Sequence, residues 1–214
     1  MAKSGQRAGN TTGTDARSNA TRQALIEAAI ESLRFDGFSG ASARTIATRA
    51  QSNQGLVFYH FGSVTDLLLA ALDEVSNRRM ERYSAAVGAA ESPAQLATVA
   101  AQIFREDLDE GYVTVLVEMM AGATASPALG EEVAKRIVPW LSFTRHVIDQ
   151  ALTGTPFATV VPTDDAAYAV VALYLGLELL SHLDGDRSRA LALFERASSF
   201  AALFDAGTTS PLEA

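Results

Sequence analysis

The chain has 214 residues, 48% apolar and 20% charged, enough to bury a core in one or two domains, and its lack of Cys excludes disulfide frameworks, thiolate metal sites and a thiol nucleophile and fits a reducing compartment, here expected to be the cytoplasm. The net charge of −8 argues against indiscriminate nucleic-acid binding, but it is uneven: 7 cations meet 4 anions up to Gly62 and 10 meet 21 beyond it, which leaves room for a DNA-facing module in the N-terminal quarter. No signal-peptide pattern is expected in residues 1–20, and the longest apolar run, Ala166–Leu177, has 12 residues, too short to span a bilayer, so no membrane is expected as a partner.

The first element is a helix over Arg22–Phe35, with Leu25, Ile26, Ala29, Ile30 and Leu33 at helical spacing. It is expected to stop at Gly37, with Phe38 folding back on Leu33. Ser42 then caps a short second helix in which Ile46 and Ala50 lie one turn apart on the inner side. Asn53 caps a third helix of about two turns, and Ser63 opens a long fourth helix through Arg82 with the capping box Ser63–Asp66. A short helix, a turn and a second short helix are helix-turn-helix geometry. In Gln54–Phe61, Val57 and Phe61 are assigned to the core, and Gln54, Gly55, Leu56, Phe58, Tyr59 and His60 to the remaining circumference. So many large apolar groups do not suit a face left to solvent.

The stretch Thr21–Leu69, and above all Gly55 to Ser63 (GLVFYHFGS) together with Ser42–Ala47 (SARTIA) at this spacing, resembles the DNA-binding domain of the tetracycline-repressor (TetR) family. The resemblance implies that Arg44 and Thr45 approach DNA from the second helix and that Gln54, Gly55, Leu56, Phe58, Tyr59 and His60 lie in or beside the major groove. His60 is equally readable as a packed structural residue. The chain departs from the family pattern at Gln54, often basic there, and at Val64, where a phosphate-clamping Lys is usual. Each lost phosphate contact removes about one unit of salt dependence, and Arg7, Arg17 and Arg22 are candidates to replace them.

Beyond Gly88, Ser92-Pro93 starts a helix that ends at Gly111. Tyr112–Met120 alternates like a strand at Val113, Val115 and Val117, but no partner strand is in sight, so a helix is expected. Ser126-Pro127 opens a helix to about Leu152, where Pro139 predicts a kink or break just before Trp140. Pro156–Pro162 reads as a loop. Thr163, with Asp164 and Asp165, caps an apolar helix to about Leu183, and Asp186 or Ser188 caps a last one to about Phe204. The expected fold is all-α, about nine helices: an N-terminal extension over 1–20, a helix-turn-helix domain over 21–66, a ligand-binding and dimerisation domain over 67–206 and a frayed tail over 207–214.

The last two helices are apolar on more than one face, and a single chain of this length can hardly cover them. Leu173, Gly176 and Leu180 on one, with Phe194, Ala197, Ala201 and Phe204 on the other, are therefore assigned to a two-fold homodimer contact, which the family resemblance also implies. Phe104, Met119, Trp140, Phe143, Tyr168 and Leu175 are candidates to line an apolar pocket, with Glu178 and His182 as polar anchors or as a pair bonded to each other. No catalytic constellation, metal site or cofactor is expected. The reading is a dimeric repressor that binds a palindromic operator in double-stranded DNA and is released by a small, largely apolar effector. The alternative is a helical protein-interaction protein that has lost DNA binding.

Overall fold

The computed structural model describes residues 11–90, 92–196 and 199. The eight α-helices bounded within them are α1 (Thr11–Gly40), α2 (Ala43–Arg49), α3 (Gln54–Phe61), α4 (Val64–Gly88), α5 (Pro93–Glu110), α6 (Tyr112–Ala123), α7 (Pro127–Leu152) and α8 (Thr163–Asp184), with a one-turn 3₁₀ helix over Pro156–Thr159. A further helical run covers residues 188–196. Among the described residues no strand occurs, and no single helix is long and apolar enough to cross a membrane.

The expected helix starts hold because their side chains satisfy backbone donors that the first turn leaves free. Ser42 accepts from the Thr45 N–H, Asn53 from Gly55, Ser63 from Asp66, Ser92 from Gln95 and Ser126 from Leu129. The capping box at Ser63 is closed by its hydroxyl donating to the Asp66 carboxylate at 2.6 Å. At 188–196 it is Asp186 that accepts from the Ser188 N–H.

Several expectations are corrected. α1 begins at Thr11, so the second half of the segment taken as an extension is helical and continuous with the first helix. Its predicted stop is a break in dihedral angles at Gly37 (φ 73°), after which one more turn reaches Gly40. α4 runs to Gly88 rather than Arg82. α7 passes Pro139 without interruption; Arg136 and Trp140, on either side of the proline, are bonded to Asp73 and Ser76 of α4, which holds the helix on course. α8 starts with no side-chain cap, Thr163 being its first residue. The loop over Pro156–Pro162 contains the 3₁₀ turn. The alternating valines of α6 do not mark a strand: Val113, Val115 and Met119 are buried because α6 lies between α1 on one side and α4, α5, α7 and α8 on others.

One core runs from the N-terminal head into the body. Leu25, Ile26, Ala29, Leu33, Ile46, Val57, Leu67, Leu68 and Leu72 are continuous with Val115, Met119, Leu129 and Val133. Burying a large aliphatic side chain of this kind stabilises by roughly 1.5–3 kcal/mol, so head and body are coupled through packing and not merely tethered.

Candidate DNA-facing helix and ligand cavity

The head is α1, α2 and α3, closed by the start of α4. Between α2 and α3 the chain turns through Gln51, whose φ of +50° is unusual for a residue with a side chain. The turn is tied by the Ser52 N–H donating to the Ala47 carbonyl at 2.8 Å. α3 and α4 then meet at a bend of 73° across Gly62 and Ser63, so α3 projects from the body instead of continuing α4.

On α3, Val57 is fully buried and Phe61 half-buried with Arg22 stacked on its ring at 5.1 Å. Gln54, Gly55, Phe58 (51% exposed) and Tyr59 (77% exposed) face outward, as does Arg44 of α2. Leu56 is half-buried against the head core, because the inner arc of α3 extends round from Val57 to its neighbour. Thr45 is half-buried, with its hydroxyl 2.9 Å from that of Ser42. His60 is half-buried with its ring edge-on to Tyr59 and Phe61, so its imidazole is part of the aromatic packing of α3. Val64 packs against the same core. Of the basic residues near α3, Arg22 is held over Phe61, and Arg49 pairs with Asp36 at 2.9 Å and Glu31 at 3.4 Å.

The body holds an apolar cavity of about 340 Å³ between α4, α5, α6, α7 and α8. Three of the expected residues, Trp140, Phe143 and Leu175, line it. Others do not. Phe104 is fully buried with its ring against Tyr174 and Phe194; Met119 belongs to the core shared with the head; Tyr168 is 68% exposed on the outer face of α8. Period alone does not tell which side of a doubly apolar helix meets a void and which meets a neighbour.

The polar end of the cavity was missed from sequence. Arg79 and Tyr83 of α4 and Tyr174 of α8 line it, and behind them stands Asp107 of α5, fully buried. One oxygen of Asp107 accepts from Arg79 (2.5 Å) and from the hydroxyls of Tyr83 and Tyr174. The guanidinium lies over the rings of Trp140 (5.4 Å), Tyr83 (5.6 Å) and Tyr174 (6.0 Å). Glu178 is buried 3.8 Å from Arg79, which makes Arg79 its charged neighbour; the side chain of His182 lies outside the described residues. Burial pushes the Glu178 carboxyl up to about 8, against the pull of Arg79, and burial likewise pushes the Tyr174 hydroxyl up. The sequence signal was an Arg and a Tyr one turn apart in α4 and a Tyr and a Glu one turn apart in α8, on faces otherwise apolar.

Of the residues assigned to a dimer contact, Leu173 and Leu180 are each 60% exposed, and Gly176 between them is half-buried. Phe194 is half-buried, its ring 4.7 Å from that of Phe104. Ala197, Ala201 and Phe204 lie outside the described residues.

A helix-turn-helix head with an outward second helix, on a helical body enclosing a cavity, defines the class of DNA-binding transcriptional regulators. Residues 25–71 match the model of the bacterial regulatory proteins of the TetR family. An uncharacterised HTH-type transcriptional regulator of Mycobacterium tuberculosis is 32% identical over 132 residues, 61% of this chain and 66% of that protein, just under two thirds of its length. The HTH-type repressor NicS of Pseudomonas putida is 33% identical over 55 residues, 26% of each chain. Among solved structures, a TetR-family member from Streptomyces coelicolor is similar at TM-score 0.60 with 26% identity, covering 83% of this chain and 97% of that one. The FadR regulator of Bacillus subtilis, in complex with stearoyl-CoA, shares the fold at TM-score 0.71 and 14% identity, covering 84% and 96%. Residues 25–71 carry the DNA-binding domain of the TetR family, and the chain as a whole is similar to transcriptional regulators of that family.

Proposed function

We propose that this regulator is a homodimeric repressor that binds a palindromic operator through Asn53–His60, with Arg44 and Thr45 beside them, and leaves it when a small, largely apolar effector enters the cavity. The observation that carries the reading is the span of α4. One continuous helix holds Leu67, Leu68 and Leu69 in the head core and Arg79 and Tyr83 in the cavity wall. Between Ser63 and Arg79 it extends about 24 Å at the usual rise, so anything that repositions Arg79 tilts the support on which α3 stands.

The lateral anchors of α4 favour the same mechanism. Arg136 holds Asp73 with two hydrogen bonds of 2.7 and 3.0 Å, and the Trp140 indole N–H donates to Ser76 at 2.8 Å. Trp140 itself lines the cavity, so an effector that pushes it also pulls on α4. An effector acts only through differential affinity for the two settings.

For the dimer, the exposed stripe of Leu173, Leu180 and Leu183 on α8 is the support, since a second copy related by a two-fold axis would cover it with its own. Two heads then read half-sites about one helical turn apart. The test is a footprint of the purified protein on DNA flanking its own gene. A protected pair of inverted half-sites supports the reading; a single unpaired half-site contradicts the dimer, and no retained DNA at all favours the protein-interaction alternative.

A further inference from the structure

Among the described residues that line the large cavity, Arg79 is the one charged side chain. Its charge is already claimed. Asp107, fully buried behind it, faces its Nη2 at 2.5 Å, and the same Asp107 oxygen accepts from Tyr83 and Tyr174, so the pair is fixed by three donors. The guanidinium is also held by the rings of Tyr83, Trp140 and Tyr174. The second carboxyl nearby, Glu178, lines a separate cavity of about 50 Å³ and not the large one. With its carboxyl pushed up to about 8 by burial, it is mainly protonated at neutral pH and adds little charge.

These facts set the charge balance of an occupant. An anionic head would bring a second negative charge to a guanidinium that a carboxylate already neutralises. A cationic head would meet no carboxylate among the described residues of the wall. Burying an ion without a counter-ion costs far more than burying a hydroxyl or carbonyl that finds a partner. Hydrogen-bonding capacity without net charge is what the wall offers, in the hydroxyl of Thr144 and in the oxygens of Tyr83 and Tyr174, whose hydrogens are already given to Asp107.

We infer that the cavity takes an uncharged amphiphile, with an apolar body along Val87, Leu96, Ala100 and Val147 and a hydroxyl head that donates to the oxygen of Tyr83 or Tyr174. The volume of about 340 Å³ lies within the range of sites for drug-sized molecules. The inference rests on the cavity being the effector site.

Decan-1-ol, decanoate and decylammonium share one chain and differ at neutral pH in the charge of the head. They are titrated into the purified full-length protein while the fluorescence of Trp140, the one Trp of the chain and part of the cavity wall, is followed. Decanol is expected to reach its half-maximal effect at a concentration about tenfold or more below either ion. A stronger response to decanoate or to decylammonium overturns the inference and leaves the cavity as the effector site. No response to any of the three overturns both. Ala100→Phe, which fills the cavity, is expected to abolish the decanol response, with Val171→Phe in its place if circular dichroism shows helix loss; a response that survives a folded, filled cavity places binding elsewhere and also overturns the inference.

Discussion

Phe38, just past the break in α1, donates its backbone N–H to the carboxylate of Glu118 on α6 at 2.8 Å. Gly37, at φ 73°, turns that N–H toward α6, and a Cβ there would stand 3.1 Å from the Glu118 carboxylate. The Phe38 ring lies on Gly122 one turn further along α6, so close that a Cβ at Gly122 would come within 2.6 Å of it. Head and body are thus joined at a second place besides α4.

Glu118→Ala leaves the Phe38 N–H without its partner, and a loss of about 1–3 kcal/mol in stability is expected. Gly122→Ala drives a methyl into the Phe38 ring and should cost a similar amount by overpacking. Chemical denaturation of both variants measures this. A change below about 0.5 kcal/mol in Gly122→Ala would show that Phe38 is free to move aside.

Arg79 holds two buried carboxyls, Asp107 and Glu178. Arg79→Met removes the cation and strands the Asp107 carboxylate, and a loss of about 3–5 kcal/mol is expected, read as a lowered melting temperature. Restoring neutrality by also introducing Asp107→Asn should recover part of that loss.

Stability should depend on pH through Glu178. Its folded carboxyl sits at about 8, above its ordinary value of 4.5, so the native chain holds a proton that the unfolded chain has released between those values. The stabilisation is complete below the ordinary value and is lost as pH rises toward 8, by roughly 3–5 kcal/mol in total. Arg79, Asp107 and Tyr174 are the ionisable groups acting on it. Melting temperatures measured from pH 6 to 9 should fall for the native chain and fall much less for Glu178→Gln; parallel curves would rule Glu178 out as the source.

If α8 forms the dimer contact, Leu180→Glu places a charge in the middle of it. Light scattering should then report a monomer that remains helical. A variant that is still a dimer would move the interface away from Leu173 and Leu180.

Arg44 is exposed on α2 at the edge of the proposed DNA-facing surface. Arg44→Ala is expected to weaken operator binding and to lower the slope of log affinity against log salt by about one. An unchanged slope would mean that Arg44 does not touch a phosphate.

The first four helices were legible because their signals are local. Ser42, Asn53 and Ser63 cap the helices that follow them through bonds spanning two or three residues, and such bonds form wherever the chain lies. Val57 was placed in the core by its spacing, and it is fully buried. Gln51 carried no such signal: a left-handed backbone at a residue with a side chain is imposed by the crossing of α2 and α3, and Gly there would adopt it without strain.

The sequence by itself determined most of the helix starts, the helix-turn-helix head and the family of that DNA-binding domain, since caps, period and the Gly55–Ser63 motif are properties of neighbouring residues. Tertiary structure alone decided which apolar side chains line the cavity. Phe104, Met119 and Trp140 look alike along the chain, yet the first two are enclosed by other helices and only Trp140 borders open space. It also decided that Arg79, Asp107 and Glu178 meet, because α4, α5 and α8 each contribute one of them and no spacing within one helix records the others. A buried charge is tolerable only where its counter-charge arrives from another helix, and the packing of those helices supplies it.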